Sequence, residues 1–410
     1  MDAGALRGEI DGRAAWWRLA RALALCTFGG AGMWSVVVAL PSVAGDFGAA
    51  RSAATLPFTL AMVGFAFGGV LMGRLADRFG MLAPALLGTA MLSGGYLAAA
   101  LSPNLTVYAL VHGLLIGVGA SASFAPLMAD ISLWFVRRRG IAVAVLASGN
   151  YLAGVIWPPL VQHMVADHGW RWTHAAMAAV TLAAMLPLSL SLRRRAPVTG
   201  PSTVASTAAP HPIAIGPGAL QALLVVAGLG CCVAMSMPQV HIVAYCGDLG
   251  YGPARGAEML SLMLGFGIVS RVASGFIADR LGGLPTLLLG SVLQGAALLL
   301  YLTFDGLGQL YVISALFGLF QGGIVPSYAI VVREYFPPDQ AGGRISLCIM
   351  STLFGMALGG WLSGVIFDGT GSYAAAFLNG VAWNLLNVSI VVLLMMRARI
   401  GNRRAPLAAI

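Results

Sequence analysis

The chain has no lysine; all 23 of its basic residues are arginine. A Walker A loop needs a lysine to hold nucleotide phosphates, so ATP hydrolysis is excluded as a driving force and only gradients are left. Charge of either sign is scarce, at 9% of 410 residues, with a mean hydropathy of +0.87. Soluble domains carry about 25% charged residues. The deficit excludes an ordinary soluble protein and predicts a polytopic membrane protein. HExxH, GxSxG and paired carboxylates within an apolar run are all missing, so hydrolysis or group transfer lacks its parts. The five cysteines (Cys26, Cys231, Cys232, Cys246, Cys348) form no CxxC and read as free, buried thiols. No metal site and no cofactor is expected.

What is present is a series of long apolar runs. About 20 apolar residues cross a bilayer, and such runs fall near 22–42, 54–73, 81–102, 106–133, 141–165 and 172–192. A second set falls near 219–246, 257–278, 284–304, 307–332, 345–367 and 373–396. Asp2, Glu9 and Asp11 interrupt the first residues, unlike a cleaved signal peptide. With both termini cytoplasmic, only Arg51, Arg171 and Arg255 lie in outer loops and Arg271 within a span, leaving the other arginines inside. This satisfies the positive-inside rule. The net charge of +9 is then a topology signal, and no nucleic-acid partner is expected. Abundant glycine, 54 residues, suits close helix contact in lipid.

The spans divide into 1–192 and 219–410, joined by a Pro/Ser/Thr-rich cytoplasmic linker at 193–218. "GRLADRFG" (73–80) recurs as "GFIADRLGG" (275–283), and "APLMADISLWF" (125–135) is echoed by "VPSYAIVVREYF" (325–336). A duplication of this kind predicts an all-α membrane protein of twelve transmembrane helices in two six-helix pseudo-symmetric halves.

At these residues the chain resembles the major facilitator superfamily. Gly73, Asp77, Arg78 and Gly80 are similar to its loop motif after the second helix, with a second copy at Gly275, Asp279, Arg280 and Gly282. The resemblance implies gating: a carboxylate at a cytoplasmic helix end pairs with a neighbouring arginine until rocking of the halves breaks the pair. "WFVRRRGIAVAVLASG" (134–149) resembles the signature of the monocarboxylate transporters, and "EYFPPDQAGGRISL" and "GVIFDGTGSYAAAF" that of the monocarboxylate and oxalate–formate group. Pro126 falls where that family has a proline in its fourth helix. The proton-coupled members carry an acid four positions before the arginine of the eighth helix; here that position is Gly267.

Arg271 is the only ionisable residue between Glu258 and Asp279. It lies about 12 Å inside the helix end that Asp279 marks, at 1.5 Å per residue. A charge at membrane depth costs at least about 2.5–3.5 kcal/mol and usually faces a wet cavity with a partner. Its planar fork suits a carboxylate through two parallel hydrogen bonds, and the resemblance implies the same role. The alternatives are a buried ion pair and snorkelling. Asp130 in the fourth span is a candidate proton carrier that pairs with Arg271 when the site is empty. Its other reading is structural, with Arg74 or Arg78 as partner. Further substrate-binding candidates are Trp34, Ser123, Phe124, Asn150, Tyr151, His241, Tyr245, Gln321 and Tyr328, each equally readable as interhelical glue. His112, His163, His168, His174 and His211 fall near membrane edges or in loops and suggest nothing specific.

The leading expectation is a secondary transporter of a small organic monocarboxylate, by proton symport or anion exchange, working as a monomer in the cytoplasmic (inner) membrane. Its partners are the organic anion, a candidate coupling proton and the lipid bilayer. The competing expectation is efflux of a drug or amphiphilic metabolite, with Arg271 serving structure.

Overall fold

A computed structural model describes residues 10–194 and 212–404. Most of the linker expected at 193–218 therefore lies outside the described residues, as does His211. Among the described residues every element is helical. Apolar side chains cover lipid-facing surface, and a helix satisfies its own backbone groups where no water can.

Eleven helices are long and apolar enough to cross a membrane. One of them, Arg139–Ser191, has 53 residues and turns at Gly169, where φ is +80°. At 1.5 Å per residue it would otherwise run about 80 Å, well beyond one bilayer. The turn splits it into α5 (139–168) and α6 (170–191), so the spans number twelve. The others are α1 (Arg13–Phe47), α2 (Arg51–Phe79), α3 (Leu82–Ala100), α4 (Leu105–Trp134), α7 (Pro217–Asp248), α8 (Pro253–Leu281), α9 (Gly283–Thr303), α10 (Leu307–Tyr335), α11 (Pro338–Thr370) and α12 (Tyr373–Arg404). Most helices outrun their apolar cores. α1 starts at Arg13 rather than near 22, because a polar first turn continues the helix beyond the stretch that apolar counting detects.

The chain divides into two compact units, Met1–Pro201 with Val243–Ser261 and Ser202–Ile242 with Leu262–Ile410. The first thus takes in the end of α7 and the start of α8. There Arg51 donates to Asp248 at 2.6 Å, and Ser261 donates to the Val155 carbonyl.

Each unit contains a helix broken just before a proline, and α1 is also interrupted, at Gly30. α4 runs as Leu105–Val111, a π-turn over His112–Gly117, then Val118–Ser121, and restarts at Ala125 after a non-helical Phe124. α10 breaks at Gly322 and Gly323 and restarts at Ile324. Both breaks lie just before a proline, Pro126 and Pro326, whose missing N–H releases a carbonyl of the preceding turn. Glycines carry each broken helix against its neighbour. In the first unit Gly64 faces the Gly113 carbonyl and Gly117 the Ala61 backbone; in the second Gly318 faces the Met263 carbonyl and Gly322 the Gly267 carbonyl. A Cβ at any of these would strike backbone.

The two copies of the loop motif close alike. Gly80 has φ +80° and ψ 170°, and Gly282 has φ +87° and ψ 169°. Only glycine adopts that conformation without strain.

Candidate functional site

Arg271 lies on the face of α8 that carries Leu260, Leu264, Gly267 and Ala278, all buried. The large apolar side chains exposed along the middle of the same helix, Phe266, Val269, Val272 and Phe276, are roughly 100–160° around the axis at 100° per residue. Arg271 itself is half-buried, on the side of α8 away from most of that stripe. The break in α10 packs at the same level: Gly322 lies on the Gly267 carbonyl and Ser270, and Gly323 on Ser274. Two glycines, Gly267 and Gly322, let the α8 and α10 backbones touch.

Gln321, beside that break, is fully buried, and its Oε1 accepts from Gln239 Nε2 at 2.9 Å. Tyr328 on the restarted α10 donates to Asn387 Oδ1 at 2.9 Å, and Asn387 donates to Ser291 at 2.7 Å. His241 is also fully buried. Its Nε2–H donates to the Gly360 carbonyl at 2.9 Å, which leaves Nδ1 to accept from Tyr373 Oη at 3.4 Å. Tyr328 and His241 thus spend their polar atoms on neighbouring helices.

In the first unit, Trp34 Nε1 donates to the Asn150 carbonyl at 3.1 Å, which joins two of the sequence candidates. Tyr151 is buried beside it, and Tyr245 is half-buried on α7. Ser123 donates to its own helix at the Ala120 carbonyl, 2.7 Å away, and packs on Gly29. Phe124, the turn residue of the α4 break, sets its ring 6.0 Å from that of Phe65.

Asp130 has a partner that sequence reading did not select. Arg18 donates to both of its oxygens, at 2.8 and 2.9 Å, and the pair is nearly dry, with side chains 5% and 12% exposed. The guanidinium also lies 4.7 Å from the centroid of the Trp134 ring. This corrects the expectation of Arg271, Arg74 or Arg78 as partner. Arg18 was counted as a cytoplasmic residue because its span was started too late.

The residues before α1 reach the same place. Asp11 donates its N–H to the Trp134 carbonyl at 3.1 Å, and its carboxylate accepts from the backbone N–H groups of Val136, Arg137 and Arg138 at 3.0–3.3 Å. Partial burial pushes its pKa up, but the three backbone donors outweigh it and hold the carboxyl below the usual range. The "WFVRRRG" stretch is thereby pinned from the N-terminal side.

Asp77, Arg78, Asp279 and Arg280 are exposed at their helix ends. Among the described residues no ion pair includes them, and Arg78 lies over its neighbour Phe79, 5.2 Å from the ring centroid. Near the second motif copy, Glu334 accepts from the Gly283 N–H at 2.8 Å and so caps α9.

Two histidines set aside in the sequence as membrane-edge residues are fully buried. His112 and His174 lie 5.8 Å apart by ring centroid, with Tyr108 hydrogen-bonded between them. Residue position alone hid them, since burial there comes from helices distant in sequence.

The model of the Major Facilitator Superfamily matches residues 23–309 and 259–408. Among curated proteins the chain is 29% identical to monocarboxylate transporter 13 of Bos taurus over 355 residues, covering 82% of this chain and 79% of that one. It is 24% identical to the agnestins efflux protein of Paecilomyces divaricatus over 326 residues, 78% of this chain and 73% of that one. Among solved structures, the nucleoside transporter NupG superposes with a TM-score of 0.72 at 12% identity, covering 93% of this chain and 99% of that one.

Proposed function

The chain belongs to the major facilitator superfamily, and on that premise we propose that it is a secondary transporter of a small organic monocarboxylate working by alternating access. The observation that carries the reading is the placement of Arg271, half-buried, on the face of α8 that carries Leu264 and Gly267, level with the α10 break. A permanent cation there is retained at a cost that an anionic cargo offsets, and its fork matches a carboxylate. Gln321 beside the break supplies an amide within the same unit. Asp77–Arg78 and Asp279–Arg280 are the gating residues of the proposal. The similarity to monocarboxylate transporter 13 supports the substrate class.

Proteoliposome counterflow against a panel of carboxylates tests it. The wild type exchanges at least one small monocarboxylate, and Arg271→Ala abolishes that exchange while the protein remains folded. A second reading, efflux of a larger amphiphile, is favoured by the similarity to the agnestins efflux protein. Under it Arg271→Ala leaves transport largely intact, and no small carboxylate exchanges.

A further inference from the structure

A gradient-driven carrier that uses protons needs a group to bind them. Gly267 has no side chain. Asp130 gives both oxygens to Arg18, a cation that does not deprotonate.

The buried histidines differ in what they leave open. In each, the nitrogen facing a backbone carbonyl must carry the hydrogen, because a carbonyl only accepts. His174 Nδ1–H donates to the Trp170 carbonyl at 2.7 Å, so its Nε2 accepts from Tyr108 Oη at 3.0 Å. His241 has both nitrogens engaged. His112 Nδ1–H donates to the Tyr108 carbonyl at 2.9 Å, so its Nε2 holds a lone pair, and that atom is buried with no partner. An unmade hydrogen bond in such a place is costly.

A second observation falls on the same residue. His112 opens the π-turn of α4, and single π-turns inside helices are frequently found at functional sites. It lies seven residues into α4, about 10 Å from the helix start at 1.5 Å per residue. Its surroundings hold few other titratable groups. Tyr108 and His174 face it directly. Tyr96 of α3 touches His174 edge-on and bonds Ser35 at 2.8 Å. Trp170 leads from His174 to the surface pair Asp46–Arg171, to which it donates at Asp46. α2, which packs on the π-turn through Leu60 and Gly64, has no ionisable residue between Arg51 and Arg74.

We infer that His112 is the proton-binding residue of this transporter, taking a proton at Nε2 from the side of the membrane where α4 begins. The inference rests on the gradient-driven transport proposed above. Binding turns a neutral imidazole into an imidazolium, and no other bond changes. A bare cation is costly in that dry pocket, so protonation favours a conformation in which the outer part of α4 opens, and the proton leaves when the cation is exposed on the opposite side.

Two measurements on the full chain in lipid test this. Infrared difference spectra taken stepwise downward from about pH 8, well past the free-histidine range because the dry pocket disfavours the imidazolium, contain an imidazolium signal that His112→Gln removes and His174→Gln retains. In proteoliposomes His112→Gln keeps counterflow but loses the stimulation of uptake by an inward proton gradient, falling to the rate without one. Coincident spectra for wild type and His112→Gln, or gradient stimulation surviving in that variant, would overturn the inference. Should His112→Gln fail to fold, Tyr108→Phe serves: by freeing His174 Nε2 it adds a second imidazolium signal, and its absence counts against the cluster. Failure of the carboxylate reading would look different, with no carboxylate exchanged by the wild type while the spectral difference persists and decides the proton site by itself.

Discussion

The Arg18–Asp130 pair illustrates how much a single side chain depends on where its helix begins. Two charges at 5% and 12% exposure have lost most of their water, and their mutual bonds only roughly repay that loss. Removing one partner is then far worse than removing both, since it strands a buried charge at about 3–5 kcal/mol. Arg18→Leu should therefore lower the unfolding temperature of the detergent-solubilised protein substantially, whereas Arg18→Leu with Asp130→Leu should recover most of the loss. If the double variant is as unstable as the single, the pair is not an isolated buried couple. Arg271 was legible in the sequence because it stands alone in an apolar run. Arg18 was not, because apolar counting places it outside the membrane, and Asp130 consequently went without its partner. His112 and His174 were illegible for a related reason: nothing local to either residue reports that Tyr96, Tyr108 and Trp170 bury them.

At the scale of elements, the helices were plain from apolar run length, whereas the breaks in α4 and α10 were not predicted, although each falls just before a proline, Pro126 or Pro326. Nor was the π-turn, because it is bound up with α2's approach through Gly64, a tertiary contact. Glycine content was read as close packing throughout, yet the glycines fall into two classes. Gly318 and Gly322 face backbone atoms of α8, while Gly73 and Gly275 of the loop motif have open space where a Cβ would go. A methyl at Gly322 must displace the Gly267 carbonyl, and overpacking of this kind costs about 1–3 kcal/mol. A methyl at Gly275 meets nothing and gains helix propensity of about 0.8–1.0 kcal/mol. Thermal unfolding should thus show Gly322→Ala clearly destabilised and Gly275→Ala at or above wild type. If Gly275→Ala nevertheless transports poorly, the motif glycine serves a conformation other than the one described here.

For the whole molecule, the duplicated motifs predicted two six-helix halves, and the matching turns at Gly80 and Gly282 show why the repeat persists at the level of backbone. The extension of the first unit to 243–261 had no such signal, because it rests on contacts such as Arg51–Asp248 that join residues nearly 200 positions apart. Orientation remains an argument from arginine placement, and the molecule offers a direct check. All five cysteines are buried, so an impermeant thiol reagent has nothing to label on the native protein, and an introduced cysteine reports its own side. Arg138 in the α4–α5 turn and Arg255 at the start of α8 are both exposed. Arg255 forms an exposed surface pair with Glu258, worth about 0.2–1 kcal/mol, and the bonds at Arg138 to Asp11 come from its backbone, so neither change should disturb the fold. Arg255→Cys should label in intact cells and Arg138→Cys only after the membrane is opened. The reverse pattern would invert the topology and place the entry side of His112 in the cytoplasm, whereas labelling of both from outside would break the twelve-span count between α4 and α8.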